Sequence, residues 1–227
     1  MKAIIFDLDG TLVDSMGYWR NLSKNFMRTK SIDISNEVGH TMTTMSLKTS
    51  LRYLKEYYNL SESFEELYEE FSDAVIDFYE NKVNLKDNAI EVLNYFKDKG
   101  FKIVVGTSTA EKFAEIVIKK YGIDNFIEEI YTSDSLGFIK SEEEFFTTIA
   151  QNLCNRPEEI YLVDDSYLAL RTAKNAGLKT IGIYDENSSD TWDTIVKEND
   201  YSIKNLIELK NIWSCFYFLQ QELYLPL

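Results

Sequence analysis

Four places in the chain gather residue types that could act together on an anion. Asp7 and Asp9, one residue apart, directly follow an apolar run; Thr107 and Ser108 follow a second; Lys140 stands just ahead of a segment with helical spacing; and Asp164 and Asp165 end a third apolar run. A carboxylate can attack an electrophile, exchange a proton with a leaving group or with water, or hold a hard cation. A lysine and a hydroxyl can stabilise charge on a transferring group. Each position also has a plainer reading. Paired acids at a strand end fit a capping loop, a threonine there fits a helix N-cap, and Lys140 beside Glu142, Glu143 and Glu144 fits a surface ion pair.

The elements that must position these residues alternate in type. Residues 2–6, 101–106, 127–131, 160–163 and 180–183 are short apolar runs that read as buried parallel strands. The second, third and fourth are each followed by helical spacing. Gly100, Gly122 and Gly177 follow apolar-periodic stretches, where a left-handed helix end favours glycine. The pattern predicts an α/β fold with a doubly wound parallel sheet, in which ligands collect at the carboxyl ends of the strands.

Between about residues 15 and 82 strand signals vanish. Residues 16–28 and 47–58 read as helices, and Phe64, Leu67, Tyr68, Phe71, Val75, Phe78 and Tyr79 form the stripe of a third, with Ser63 and Glu66 as a capping box. The stripe is read as packing. The expected organisation is therefore a discontinuous core, 1–15 with 83–227, and a helical insert, 16–82. The segment 212–227 is too apolar for a solvated tail and is expected to pack as a helix over the sheet.

Composition excludes several function classes. The net charge is −14, with 38 acids against 24 bases and no basic stripe, which argues against a nucleic-acid partner. Cys154 and Cys215 form no metal-binding or disulfide pattern, and His40, the one histidine, has no catalytic partners nearby. No stretch reaches membrane-spanning length and the N-terminal apolar run is broken at Asp7, so a cytoplasmic protein without a membrane partner is expected, as a monomer or weak homodimer.

The segment Phe6-Asp7-Leu8-Asp9-Gly10-Thr11, at the end of the first strand and ahead of a helical insert, resembles the first motif of the haloacid dehalogenase-like superfamily. The resemblance implies a Rossmann-like core with an α-helical cap. It implies Asp7 as the nucleophile that forms an aspartyl-phosphate, and Asp9 as the acid/base, with its backbone carbonyl in the metal shell. Thr107 with Ser108 would take the second motif's phosphate-binding place, Thr109 or Ser108 serving if the register shifts. Lys140 stands where the third motif places a phosphate-stabilising lysine, although both prolines of that motif are absent. Asp164 and Asp165 resemble the fourth motif and would join Asp7 and Asp9 around magnesium (Mg2+). Many members carry a further acid where this chain has Ala169, so the adjacent pair carries the metal assignment.

The insert lies where phosphoglycolate phosphatase-like and β-phosphoglucomutase-like members carry their cap. These features imply a phosphohydrolase for a small phosphorylated metabolite. A β-phosphoglucomutase is disfavoured because Trp19 stands where that subfamily has a histidine. A 2-haloacid dehalogenase does not need Asp9, and a non-catalytic phosphate-responsive module would need neither Asp9 nor a cap. Trp19, Arg20, His40, Lys48 and Arg52 are able to contact a ligand, but each reads first as a surface or packing residue.

Overall fold

The computed structural model describes residues 2–35, 37–38 and 47–213. His40 and most of the apolar segment 212–227 lie outside these residues. Six parallel strands form one sheet: β1 (Ala3–Phe6), β2 (Lys102–Thr107), β3 (Glu129–Thr132), β4 (Ile160–Asp164), β5 (Lys179–Ile183) and β6 (Tyr201–Ile203), in the order β3-β2-β1-β4-β5-β6. β1 is apolar at every position because both of its faces are covered. Side chains alternate between faces along a strand. Ile5, Val104 and Leu162 join Phe145, Phe146, Ile149, Leu170 and Ala173 in one cluster. Phe6, in the other direction, meets Phe96 at 6.1 Å between ring centroids.

The chain divides into two compact units, Met1–Ser15 with Asn84–Leu227, and Met16–Val83. In the second unit lie α1 (Met16–Thr29), α2 (Leu47–Tyr57) and α3 (Phe64–Asn81). Both halves of the Ser63–Glu66 capping box are formed. The aromatic stripe of α3 packs within this unit: Phe71 meets Phe26 at 5.0 Å, and Phe78 stacks on Tyr18 at 3.7 Å. Trp19 donates its indole N–H to the Tyr79 hydroxyl at 3.2 Å. Arg52 lies over the Phe64 ring and Lys48 over that of Tyr68, at 4.5 and 5.8 Å. Arg20 is exposed.

In the first unit the helices are α4 (Ala89–Asp98), α5 (Glu111–Lys120), α6 (Ser133–Leu136), α7 (Glu143–Asn152), α8 (Tyr167–Asn175) and α9 (Trp192–Glu198). Gly100, Gly122 and Gly177 all have positive φ, as the helix ends require. The sheet extends one strand beyond the sequence reading. β6 is only Tyr201-Ser202-Ile203, too short to show a period of two, and it exists because β5 offers it a free edge. α9 packs so tightly that a Cβ at Gly182 of β5 would stand 2.1 Å from Ile195 Cγ2.

Residues 208–213 are helical, and Trp213 is buried with its ring 4.7 Å from Phe96, 4.8 Å from Tyr161 and 5.7 Å from Phe101. The beginning of the apolar C-terminal segment is thus part of the core. Trp213→Ala is expected to lower stability by about 3–5 kcal/mol through the cavity it leaves. Urea unfolding checks this, and a loss below about 1 kcal/mol would show that the contact contributes little.

Candidate active site

The strand order reverses direction at β1: the chain proceeds outward to β2 and β3, then returns to β4 on the other side. Such a switch point opens a crevice at the carboxyl ends of the two central strands. The β1–β4 register pairs Phe6 with Val163, and the Asp7 N–H donates to the Val163 carbonyl at 3.0 Å. Asp7 therefore leaves β1 directly beside Asp164, the last residue of β4, and Asp165. One carboxylate oxygen from each of Asp7, Asp164 and Asp165 lies within 4.8 Å of the others, and all three residues are buried.

Lys140, on the turn ahead of α7, is buried with them. Its ammonium donates to Asp7 Oδ1 at 2.7 Å and to Asp164 Oδ2 at 2.5 Å. The neighbouring Glu142 instead accepts the Ile139 N–H, so its carboxylate closes the turn that delivers the lysine. Asp164 Oδ1 accepts the Ser166 N–H at 2.8 Å. Asp165 Oδ2 accepts from the Ser188 hydroxyl at 2.7 Å, a contact for which the sequence offered no signal.

The Asp9 carboxylate is not in this cluster. Its Oδ1 accepts from Ser15 and its Oδ2 from Thr109, each at 2.6 Å. Thr107 is buried at the end of β2, and its Oγ1 accepts the Thr109 N–H at 3.1 Å, while Ser108 is exposed. Thr109 thus contacts Thr107 through its backbone and reaches across to Asp9 with its hydroxyl. Gly10 has φ +88°, and a Cβ there would stand 2.7 Å from the Asp165 carboxyl, so the turn after β1 needs glycine on both counts.

If all are ionised, the three buried carboxylates and the Lys140 ammonium carry a formal charge of two negative. Burial first, and then Asp164 and Asp165, push the Asp7 carboxyl well above the ordinary range against the pull of Lys140. Burial followed by the Asp164 charge raises Asp165 to about 7. Burial works against the Lys140 ammonium, but Asp164 and Asp7 outweigh it and raise its pKa. An all-oxygen donor set with this excess charge fits a hard divalent cation. Asp7, Asp164 and Asp165 are the side chains that could hold it.

The raised carboxyls make folding depend on pH. The folded state holds protons more tightly than the unfolded chain, so this stability is complete below the ordinary carboxylate range and is lost as pH rises through about 7 for Asp165. Chelator-treated protein should therefore melt lower by roughly 5 °C or more at pH 8 than at pH 5, with a divalent cation that fills the site abolishing the difference. Melting curves check this; a flat profile without metal would show that the cluster is not strained by its charge.

Several comparisons with known proteins bear on this arrangement. Residues 4–183 match the family model for haloacid dehalogenase-like hydrolase. The pyrophosphatase PpaX of Bacillus thuringiensis is 24% identical over 184 residues, covering 81% of this chain and 83% of that protein. Among solved structures, a predicted phosphoglycolate phosphatase from Haemophilus somnus superposes with a TM-score of 0.75 at 21% identity, covering 93% of this chain and 97% of that one. CbbY from Rhodobacter sphaeroides, solved with phosphate, gives 0.75 at 18% identity over 92% and 96%. The two structural likenesses are of fold, whereas the family model spans most of the chain, from within β1 to the end of β5: the chain belongs to the haloacid dehalogenase-like hydrolases.

Proposed function

We propose that this protein is a magnesium-dependent phosphatase that hydrolyses a small phosphomonoester through an aspartyl-phosphate on Asp7. The observation that carries this reading is the buried cluster of Asp7, Asp164 and Asp165 bridged by Lys140 at the switch point of the sheet. Asp7 attacks phosphorus through a carboxylate oxygen while the bond to the leaving oxygen breaks, and Asp9 gives that oxygen a proton. In the second half Asp9 takes a proton from water, which attacks the same phosphorus and releases inorganic phosphate and the Asp7 carboxylate. Thr107, the backbone N–H of Ser108 and the Lys140 ammonium are assigned to the phosphoryl oxygens. Asp7, the Asp9 carbonyl, Asp164 and Asp165 would hold magnesium, which supplies positive charge to the phosphoryl oxygens when bound.

The helical unit is assigned the role of a cap that carries substrate specificity. Mutase-type transfer is the weaker reading. Trp19, at the position where the mutases have a histidine, is engaged with Tyr79 by its indole N–H. Pyrophosphate belongs beside sugar phosphates, phosphoglycolate and nucleotides in a substrate screen, because the Bacillus relative is named a pyrophosphatase.

Magnesium-dependent release of phosphate from at least one of these compounds is expected, with Asp7→Asn reducing kcat by several orders of magnitude while remaining folded. A wild-type protein without turnover on any of them, or an Asp7→Asn variant as active as wild type, would sink the proposal.

A further inference from the structure

The loop after β5 begins beyond residue 183, where the match to the family model ends. It nonetheless reaches the acidic cluster, because Ser188 donates its hydroxyl hydrogen to Asp165 Oδ2 at 2.7 Å. The three carboxylates differ in what orients them. Asp7 is fixed by Lys140, and Asp164 by Lys140 on one oxygen and the Ser166 N–H on the other. For Asp165, the side-chain donor among the described residues is Ser188.

Ser188 is itself held firmly. It sits at a kink, with φ −109° and ψ 15°, between two 3-10 turns within Glu186–Thr191, the first of which Asp185 caps by accepting the Asn187 N–H at 2.8 Å and its side-chain amide at 3.1 Å. The Ser188 N–H donates to the Asp185 carbonyl at 3.0 Å, and Thr191 Oγ1 donates to the Ser188 carbonyl at 3.0 Å. Asp185 is buried and ion-paired with Lys86, whose N–H donates to the Leu12 carbonyl at 2.9 Å in the loop after β1. Burial works to raise the Asp185 carboxyl, but Lys86 and Asn187 outweigh it and hold it below the usual range, so the brace stays charged. The backbone at Gly10 closes the space on another side of the Asp165 carboxyl.

We propose that Ser188 is a positioning residue for the cation: the Lys86–Asp185 brace sets its hydroxyl so that Asp165 presents a fixed carboxylate orientation, and the loop after β5 thereby sets metal affinity. This rests on the assignment of Asp7, Asp164 and Asp165 as the magnesium site. A carboxylate with a hydrogen-bond partner outside the metal shell is already oriented before the ion arrives, and removal of such a partner typically weakens metal binding by about tenfold to a hundredfold. Lys86 and Asp185 touch neither the cluster nor a substrate atom in this scheme; they act through Ser188.

Calorimetric titration of magnesium into the metal-stripped full chain at neutral pH tests this without any substrate. Ser188→Ala is expected to bind magnesium about tenfold more weakly than wild type, and Ser188→Thr to restore the affinity. Lys86→Met, which leaves Ser188 in place, should weaken binding in the same direction and carries the test if Ser188→Ala fails to fold. Melting curves of the metal-free variants separate a loss of fold from a loss of affinity. Magnesium affinity within about twofold of wild type in folded Ser188→Ala, with Asp165→Asn clearly weakened, would overturn the positioning role and leave the metal site standing. Asp165→Asn binding as tightly as wild type would overturn the cation assignment at this residue, and the role of Ser188 with it.

Discussion

Three carboxylates brought together out of water repel one another and lose hydration, so the cluster at the ends of β1 and β4 requires compensating positive charge or bound protons. Lys140 supplies one such charge through two short contacts, and the remaining negative excess fits a hard cation. Much of the architecture can be understood as a means of holding this unfavourable group of charges in place. Rigid, fully buried strands fix Asp7 and Asp164, and a closed turn ahead of α7 delivers the lysine. The hydrophobic core stabilises what the acidic cluster strains.

The division of labour is visible in the residue types. Apolar side chains on both faces of β1, β2 and β4 lock the backbone, and polar chemistry begins at the last residue of the strand or the one after it. Each site group is then adjusted by a neighbour, from its own loop or from another: Asp9 by Ser15 and by Thr109 of the loop after β2, Asp164 by the nearby Ser166, and Asp165 by Ser188 of the loop after β5. Such hydroxyl and backbone contacts add no net charge to a region already too negative, yet they settle orientation. The family relationship covers the strands that carry the charged groups, while β6, Trp213 and the Ser188 loop lie beyond the matched span.

The helical unit follows simpler rules. Its long aromatic stripe is spent on internal packing, with Phe71, Phe78 and Tyr79 buried against partners from α1. Lys48 and Arg52 lie over aromatic rings, where a cation is partly satisfied while its charge remains near solvent.

The sequence by itself determined the alternation of buried strands and helices, because apolar periodicity and glycine stops are local signals that survive without neighbours. It also marked Asp7, Asp164 and Asp165, since charged residues at the ends of apolar runs stand out against their surroundings, whereas Lys140, beside three glutamates, was marked by its place in the order of the family motifs. Only the tertiary structure decided that Lys140 bridges two of those acids and not the glutamates next to it, because that choice depends on which strands pair and in what register. The same holds for β6, which three residues could not announce, and for Ser188, an unremarkable serine in a polar loop until sheet order brings it to Asp165. Spacing along a chain reports local backbone preference, whereas the partners of a buried charge are set by contacts between residues far apart in sequence.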